Sequence, residues 1–379
     1  MSLPFNLKLE RRLDVTPGAQ TVALAIGLLG AFATSALLIV SAGAPLGTAL
    51  AAFADGAFGD WNAIGETLVQ ATPLIFTGLA VTVAFRGRLW NIGAEGQFFA
   101  GAMAAVWLGL KFGTLPPAAL FALIVVGSAL AGALWGLIPG WLKARYRTNE
   151  VVVTVMMNYI IQYILSYLLG GPWRDPNSFF LQSDDIPEAA YFPRLFPGTR
   201  LHAGFALALL AAVLVYILLW KTTLGYEIRA FGINTWASRY KGINTTLVVV
   251  LVMAISGGLA GLAGGSEIAG LHHRLRLDIS TGYGFTGILI ALLARLNPFG
   301  AILAAVFFGA LVNGSTGMQI VTGVPVALVY AVQGLTLIFV LAADTLSRYQ
   351  LRRVQPAGQP AFESIQAVSP HDAPGGEHL

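Results

Sequence analysis

Glu95 is the residue whose type and position most suggest chemistry, because it stands inside a long apolar stretch, in the segment NIGAEGQ of residues 91–97. It follows Arg88 by seven residues, which on a helix places it about 10 Å further along. An ionisable side chain at that depth in a membrane is costly and typically serves a solute or proton path. A structural role, in which Glu95 pairs with Arg86 or Arg88, is as well supported by the sequence as a role in such a path.

Three amide side chains accompany this carboxylate. Asn91, Gln97 and Asn158 could line a path for a neutral polar solute, which needs hydrogen-bonding groups beside apolar walls. Gly93 and Gly96 predict a locally irregular helix, a feature found where transporter backbones line a cavity. The amides could equally bridge neighbouring helices, and the sequence leaves both roles open.

Other motif-like patterns lack the context that their chemistry requires. Residues 282–287 read GxGxxG, but they open an apolar helix and no acidic residue follows until Asp344, so we reject a dinucleotide site. No lysine has the neighbours of a phosphate-binding P-loop, so ATP hydrolysis must belong to another polypeptide. His272 and His273 match no metal-ligand spacing, and the sequence has 0 cysteines. We therefore expect no catalytic residue, metal or cofactor in this chain.

The composition predicts that these residues lie in a membrane protein. Apolar residues make up 56% of the chain and charged residues 11%, with a mean hydropathy of +0.73, whereas soluble proteins carry about 25% charged residues. A helix needs about 20 apolar residues to cross a bilayer. Runs of that order recur ten times, approximately at 21–42, 64–84, 89–110, 117–139, 149–170, 203–220, 244–264, 282–294, 298–313 and 325–343. The predicted fold is an all-α polytopic membrane protein of about ten transmembrane helices, whose short eighth and ninth runs leave open a hairpin of incomplete helices.

The basic residues predict the orientation of these helices. With the N-terminus inside, 16 of the 22 Lys and Arg residues fall in cytoplasmic segments. The positive-inside rule therefore predicts that both termini are cytoplasmic. This topology explains most of the basic residues, so the net charge of +4 does not call for nucleic acid as a partner.

Three regions follow from these patterns: an N-terminal cytoplasmic segment over 1–20, a transmembrane domain over 21–345 and a cytoplasmic tail over 346–379. The first apolar run exceeds the ~7–15 residues of a signal-peptide core, so we expect it to remain as an uncleaved span. From about Gln355 onward the chain is rich in Pro, Gly, Ser and acidic residues. This composition predicts a largely disordered tail.

Two glycine ladders with a spacing of four residues predict close contacts between helices. They comprise Gly132, Gly136 and Gly140 in the fourth span, and Gly257, Gly261 and Gly265 in the seventh.

The cytoplasmic loop 225–243 has more structure than a plain connection needs. Asn234 is typical of a helix N-cap and Gly242 of a helix stop. The short helix between them would present Trp236, Arg239 and Tyr240 either to lipid headgroups or to a groove on a cytoplasmic partner.

Four segments resemble a known family: TLVQATPLIFTGLAVTVAFRGRLWNIGAEGQFFAGA (67–102), TNEVVVTVMMNYI (148–160), GYEIRAFGINTWASRYKGI (225–243) and GYGFTGILIALLARLNPFGAILAAVFFGAL (282–311). They are similar to the permease subunits of bacterial ABC importers for nucleosides, within a group that also imports ribose-type sugars and branched-chain amino acids. The resemblance covers roughly residues 20 to 345.

This resemblance implies a permease of the bacterial cytoplasmic (inner) membrane that works by alternating access. Its partners would be a second, related permease, a cytoplasmic ABC ATPase that uses ATP and Mg²⁺, and an extracytoplasmic substrate-binding lipoprotein. Loops 171–202 and 265–281 would face the lipoprotein. Segment 225–243 would couple to the ATPase through Glu227, Arg229, Asn234, Trp236, Arg239 and Tyr240.

Functions of other classes remain as alternatives at this point. Within the group, a ribose-type sugar or a branched-chain amino acid could replace the nucleoside as substrate. Outside it, the chain could be an ion-coupled secondary transporter with Glu95 as its proton site, a channel or a membrane scaffold. None of these other classes explains a structured helix in loop 225–243.

Overall fold

The computed structural model describes residues 2–3, 7–11, 17–347 and 349–353. The chain divides into two compact units, one of residues 27–341 and one of residues 1–26 with 342–379. The helices are α1 (Pro17–Ser41), α2 (Leu46–Phe58), α3 (Trp61–Arg86), α4 (Ala94–Lys111), α5 (Pro117–Tyr146), α6 (Glu150–Gly170), α7 (Ala203–Lys221), α8 (Thr223–Ile233), α9 (Thr235–Tyr240), α10 (Thr245–Glu267), α11 (Tyr283–Leu293), α12 (Pro298–Thr322) and α13 (Val326–Ser347). A 3₁₀ turn at Glu188–Ala190 and a π-helical turn at Ile268–His272 complete the helical structure.

Six helices of the described residues are long and apolar enough to cross a membrane. They are α3, α5, α6, α7, α12 and the continuous helix Thr245–His272, which joins α10 to the π-helical turn. The bent pair Ala25–Ser41 and Leu46–Phe58, with 119° between its halves, would make a seventh span. The chain is thus a helical, multi-pass membrane protein, and the predicted number of about ten spans is not confirmed.

Helix α3 lies at the centre of unit 27–341. Every residue from Ala71 to Ala84 is buried, and α7, α10, α11 and α12 pack around it. Gly287 of α11 and Gly309 of α12 approach its backbone so closely that an added Cβ would overlap it. Backbones approach in this way where small residues replace side chains at helix contacts.

The structure departs from the sequence-based expectation most clearly at α2 and α12. The structure has a helix α2 where no element was predicted, and α12 continues to Thr322 instead of ending at 313. The polar residues after 311 lowered the apolar signal, but they have partners on other helices: Asn313 Nδ2 donates to Gly56 O at 2.7 Å and to Ala63 O at 3.0 Å. The ninth run is therefore a full-length helix, whereas α11, with 11 residues, is short.

The two glycine ladders lie against each other, on α5 and α10. A Cβ on Gly132 would overlap Gly257 O, and a Cβ on Gly261 would overlap Ser128 O. A Cβ on Gly136 would come within 2.5 Å of Met253 O. The absence of side chains on these faces therefore allows the two backbones to touch.

The second unit contains three short antiparallel strands, β1 (Ser2–Leu3), β2 (Leu7–Arg11) and β3 (Tyr349–Arg353), in the order β1-β2-β3. Leu9 pairs with Leu351 in the register of β2 and β3. The all-α prediction included no strand, because such short pairings depend on segments far apart in the chain. The tail predicted to be disordered from Gln355 lies outside the described residues.

Candidate functional site

The polar residues of the NIGAEGQ segment form a hydrogen-bonded network inside the helical unit. Asn91 Nδ2 donates to Gln97 Oε1 and to Ser256 Oγ of α10, both at 2.8 Å. Gln97 Nε2 donates in return to Asn91 Oδ1 at 3.2 Å. Ser256 Oγ donates onward to Ala80 O of α3 at 2.7 Å. The two amides thus join α4 to the central helices.

Asn158 of α6 stabilises the irregular chain between α3 and α4. Its Oδ1 accepts from Gly96 N at 2.8 Å, and its Nδ2 donates to Ile92 O at 2.9 Å. The span predicted over 89–110 begins five residues later, because α4 starts at Ala94. The irregular segment at Gly87–Gly93 therefore needs such side-chain partners in place of helical hydrogen bonds.

Glu95 lies in the first turn of α4 and is buried. Its Oε2 accepts a hydrogen bond from Gly284 N, at the start of α11, at 2.7 Å. The predicted pairing with Arg86 or Arg88 is wrong, since Arg86 donates instead to Leu296 O, through Nε at 3.0 Å and Nη2 at 2.9 Å. A carboxylate near the N-termini of two helices also has a favourable interaction with their dipoles.

The four predicted path residues therefore lie together, and their partners are protein groups. Asn91, Glu95, Gln97 and Asn158 are each at most 3% exposed, and none of them lines a described cavity. This geometry favours the helix-bridging alternative. Their role in a solute path stays a prediction.

Helix α6 carries a polar face that the sequence analysis did not identify. Tyr159, Tyr163 and Tyr167 are 59%, 75% and 74% exposed, and the half-buried Gln162 and Ser166 lie on the same side. None of the five side chains has a hydrogen-bond partner among the described residues. The signal was a tyrosine at every fourth position, which places three rings in a row on one helix face.

A second feature missed in the sequence is a cavity of about 490 Å³ between α3, α11, α12 and α13. Its polar lining includes Gln70, Tyr283, Gln319 and Gln333. Tyr283 Oη donates to Gln70 Oε1 at 3.4 Å. These amides are far apart in the chain, so their spacing gives no signal.

The loops 171–202 and 265–281 form one continuous surface. Ser183 N donates to Leu275 O at 3.0 Å, and Ile186 N donates to His273 O at 2.8 Å. Arg274 pairs with Asp185 at 2.6 Å. The two loops are thus joined by backbone pairing and an ion pair.

The histidines of this surface have structural partners. His272 Nε2 lies 3.3 Å from Glu267 Oε2, and the ring of His273 stacks on Tyr191 with centroids 3.6 Å apart. Burial lowers the pKa of His273. Among the described residues no group of three or more His, Asp or Glu side chains could hold a metal ion.

At the opposite end of the spans, segment 225–243 folds into α8 and α9. Asn234 caps α9, since its Oδ1 accepts from Trp236 N and Ala237 N, each at 3.0 Å. Gly242 follows with φ +83°, a conformation that favours glycine.

The candidate coupling residues differ in exposure. Trp236 and Tyr240 are 81% and 92% exposed, and Arg239 lies beside them on the outer side of α9. Glu227 and Arg229 of α8 are half-buried. Trp236, Arg239 and Tyr240 thus form a surface available to a partner.

The sequence is similar to known transport proteins over most of its length. A family model for the permease component of the branched-chain amino acid transport system matches residues 63–341. The chain is 37% identical to the guanosine ABC transporter permease protein NupP of Bacillus subtilis, with 89% of this chain and 96% of that protein covered. It is 36% identical to the glucose ABC transporter permease protein TsgB13 of Haloferax volcanii (82% and 83% covered). It is 33% identical to the nucleoside ABC transporter permease protein NupB of Lactococcus lactis (75% and 80% covered).

These matches confirm the resemblance carried by the four sequence segments. The matched family agrees with the multi-pass helical structure. In such a transport system, ATP is hydrolysed by a separate subunit. The chain belongs to the family of permease components of ABC transport systems and is a membrane transport subunit, not an enzyme.

Proposed function

We propose that this chain forms part of the translocation path of an ABC importer for nucleosides. The observation that carries this proposal is the exposed face of α6, where three tyrosine rings and two uncharged polar side chains run along a membrane-spanning helix. Polar side chains within a membrane typically face a water-filled cavity or a pathway.

The chemistry of this face suits a nucleoside. A nucleobase stacks on aromatic rings, an interaction worth about 1–3 kcal/mol per base on alanine substitution. Gln162, Ser166 and the tyrosine hydroxyls can hydrogen-bond the ribose and the edge of the base. A branched-chain amino acid carries an ammonium and a carboxylate, and this face has no charged side chain to receive either.

The same face supports a second permease as a partner. Unpaired hydroxyl and amide groups facing hydrocarbon would be costly. A cleft closed by a second, related permease would keep them hydrated while solute passes. The importer would then comprise two permeases, an ATPase that uses ATP and Mg²⁺, and a substrate-binding lipoprotein docked on the joined loops 171–202 and 265–281.

The cavity beside Gln70 has a size and lining compatible with solute entry. Ligand pockets typically enclose about 300–1,000 Å³, and this cavity of about 490 Å³ has amide and phenol groups in its wall. We assign this cavity as the solute entrance on the lipoprotein side. In this proposal the buried network of Asn91, Glu95, Gln97 and Asn158 stabilises the helices that form the cavity.

Segment 225–243 is the proposed contact with the ATPase. Truncation of a buried interface aromatic or arginine often costs at least about 2 kcal/mol. Trp236→Ala with Arg239→Ala should therefore reduce both ATPase co-purification and uptake at normal membrane abundance. Unchanged association and uptake would favour an interfacial helix that lies in the headgroups.

The proposed orientation places both termini in the cytoplasm. Because the sequence has no cysteine, single cysteines can be introduced directly at exposed sites. An impermeant thiol reagent should label Asn177→Cys in intact cells and leave Lys221→Cys unlabelled. The reverse pattern would invert the topology.

The test of the substrate is uptake by the complete importer, co-expressed with its partners and reconstituted into vesicles. Guanosine should be taken up with ATP, and Tyr163→Ala should reduce this uptake by about tenfold, as loss of one stacking contact predicts. Leu214→Ala is the matched control, because Leu214 is 56% exposed on α7 but outside the polar face. Transport of glucose but not guanosine, or equal uptake by both variants, would contradict the proposal.

A further inference from the structure

A basic groove lies between the turn that joins α3 to α4 and the α8–α9 segment, with a volume of about 700 Å³. Arg86, Arg88, Arg229 and Lys241 line it, and no Asp or Glu is among its lining residues. The ion pairs found among the described residues involve other side chains. Within the described ranges, four cations thus face one cavity and none of them is paired with a carboxylate.

The neighbours of the two inner arginines do not compensate this charge. Arg86 donates to Leu296 O and lies over the Trp220 ring at 5.1 Å. Arg229 Nε donates to Gly225 O at 3.3 Å. Carbonyl groups satisfy N–H donors but carry no net charge, and the two guanidinium groups repel each other. The positive-inside rule requires cations near this end of the spans, but it does not require them to converge on one cavity.

Most of the remaining wall of the groove is apolar, and the groove lies at the end of the membrane spans. Phe85, Ile233, Ile243 and Leu296 share its wall with the cations. Arg86 is the last residue of α3, and the exposed Trp90 packs its ring against that of Phe85 nearby, with centroids 4.6 Å apart and a tilt of 56°. Tryptophan is enriched at the level of lipid headgroups. A ligand that fits this lining combines a negative head with apolar chains.

Helix α9 separates this groove from the surface proposed for the ATPase. Asn234, Ala237, Ser238 and Lys241 line the groove, and this spacing of three and four residues defines one face of a helix. Trp236 and Tyr240 are exposed on another face. A ligand in the groove would therefore contact the inner face of α9, while the outer face with Trp236 and Tyr240 stays available to the ATPase.

We propose that this groove binds the phosphate headgroup of an anionic phospholipid. Basic pockets between membrane helices on the cytoplasmic side recognise anionic headgroups. Free phosphate shares the charge but would leave the apolar wall unused. The lipid would neutralise the converging arginines and hold α9 against the end of α3.

The experiment uses the full chain, purified and reconstituted in phosphatidylcholine nanodiscs, and titrates a fluorescent phosphatidylglycerol. Each cation near an anionic surface contributes about fivefold in affinity. Arg88→Gln with Lys241→Gln should therefore weaken phosphatidylglycerol binding by about thirtyfold. The matched control is Arg147→Gln with Lys221→Gln, because Arg147 has φ +55° and Arg88 has φ +50°, and both lysines are exposed.

The control variant should bind phosphatidylglycerol like the unmodified chain. If phosphatidylglycerol binding were weakened equally in both double variants, the effect would arise from unspecific surface charge, and the proposal would be overturned. The proposal would also be overturned if labelled phosphatidylcholine bound to the unmodified chain as well as phosphatidylglycerol does. Displacement of phosphatidylglycerol by millimolar inorganic phosphate would assign the site to free phosphate and overturn the lipid assignment.

Discussion

The network around Asn91 and the polar face of α6 contain similar polar groups, but those groups are buried and hydrogen-bonded in the network and more exposed and unpaired among the described residues on α6. In the network, each amide donates to and accepts from protein groups within 3.2 Å. On α6, three tyrosines are more than half exposed and have no partner among the described residues. A buried polar group that is fully paired stabilises the fold, whereas an exposed one within a span is available to water, solute or another subunit. Polarity alone therefore does not identify a transport path, and the pairing of each group must be known.

The strongest test of this contrast replaces one amide from each region by leucine. Asn91→Leu leaves the Gln97 side chain and Gly93 N without hydrogen-bond partners. Each buried group left in this way lowers the free energy of unfolding by about 1–3 kcal/mol. We expect at least about 3 kcal/mol of destabilisation and a large fall in the amount of protein in the membrane. Gln162→Leu on α6 is the matched control and should keep normal abundance while uptake falls. Normal amounts of Asn91→Leu would show that the network is not structural.

His202 is an intermediate case, buried with one nitrogen paired. Its Nδ1 accepts from Gly204 N at 3.1 Å and so caps α7, while its Nε2 is buried and has no hydrogen-bond partner in the part of the chain that the structure describes. Burial, with a smaller effect of the nearby His273, lowers the pKa of His202 to about 4. The unfolded chain binds this proton below about pH 6.5 but the folded chain does not, so stability decreases as pH falls from about 6.5 to 4.

The expected loss between pH 7 and pH 5 is about 2 kcal/mol. Thermal unfolding of the purified chain at the two pH values measures it. His202→Asn is the control, because asparagine also caps helices but does not titrate. An unchanged pH dependence in that variant would remove His202 as its cause.

The smallest effect is expected for Glu95→Gln. The amide oxygen can still accept from Gly284 N, and exchanging a charge-assisted bond for a neutral one costs about 1 kcal/mol. ATP-driven uptake in vesicles should therefore be retained. Uptake that runs on a proton gradient without ATP, and that Glu95→Gln abolishes, would instead identify an ion-coupled transporter and contradict the importer assignment.

The sequence by itself determined what depends on local pattern and length. Apolar runs indicated most of the spans, since crossing hydrocarbon requires about 20 apolar residues wherever the helix packs. Asn234 and Gly242 marked the ends of α9, because capping involves only neighbouring residues. The four family segments indicated a permease, and the similarity of residues 63–341 to the permease family confirmed it.

The tertiary structure decided everything that depends on contacts between distant residues. It gave Glu95 its partner Gly284, 189 positions along the chain, and it supported the polar end of α12 through Gly56 and Ala63. It also placed Gln97 in a buried network and left Tyr163 exposed. Both are polar residues within apolar runs, and only the packing of neighbouring helices decides which polar group is paired and which remains free.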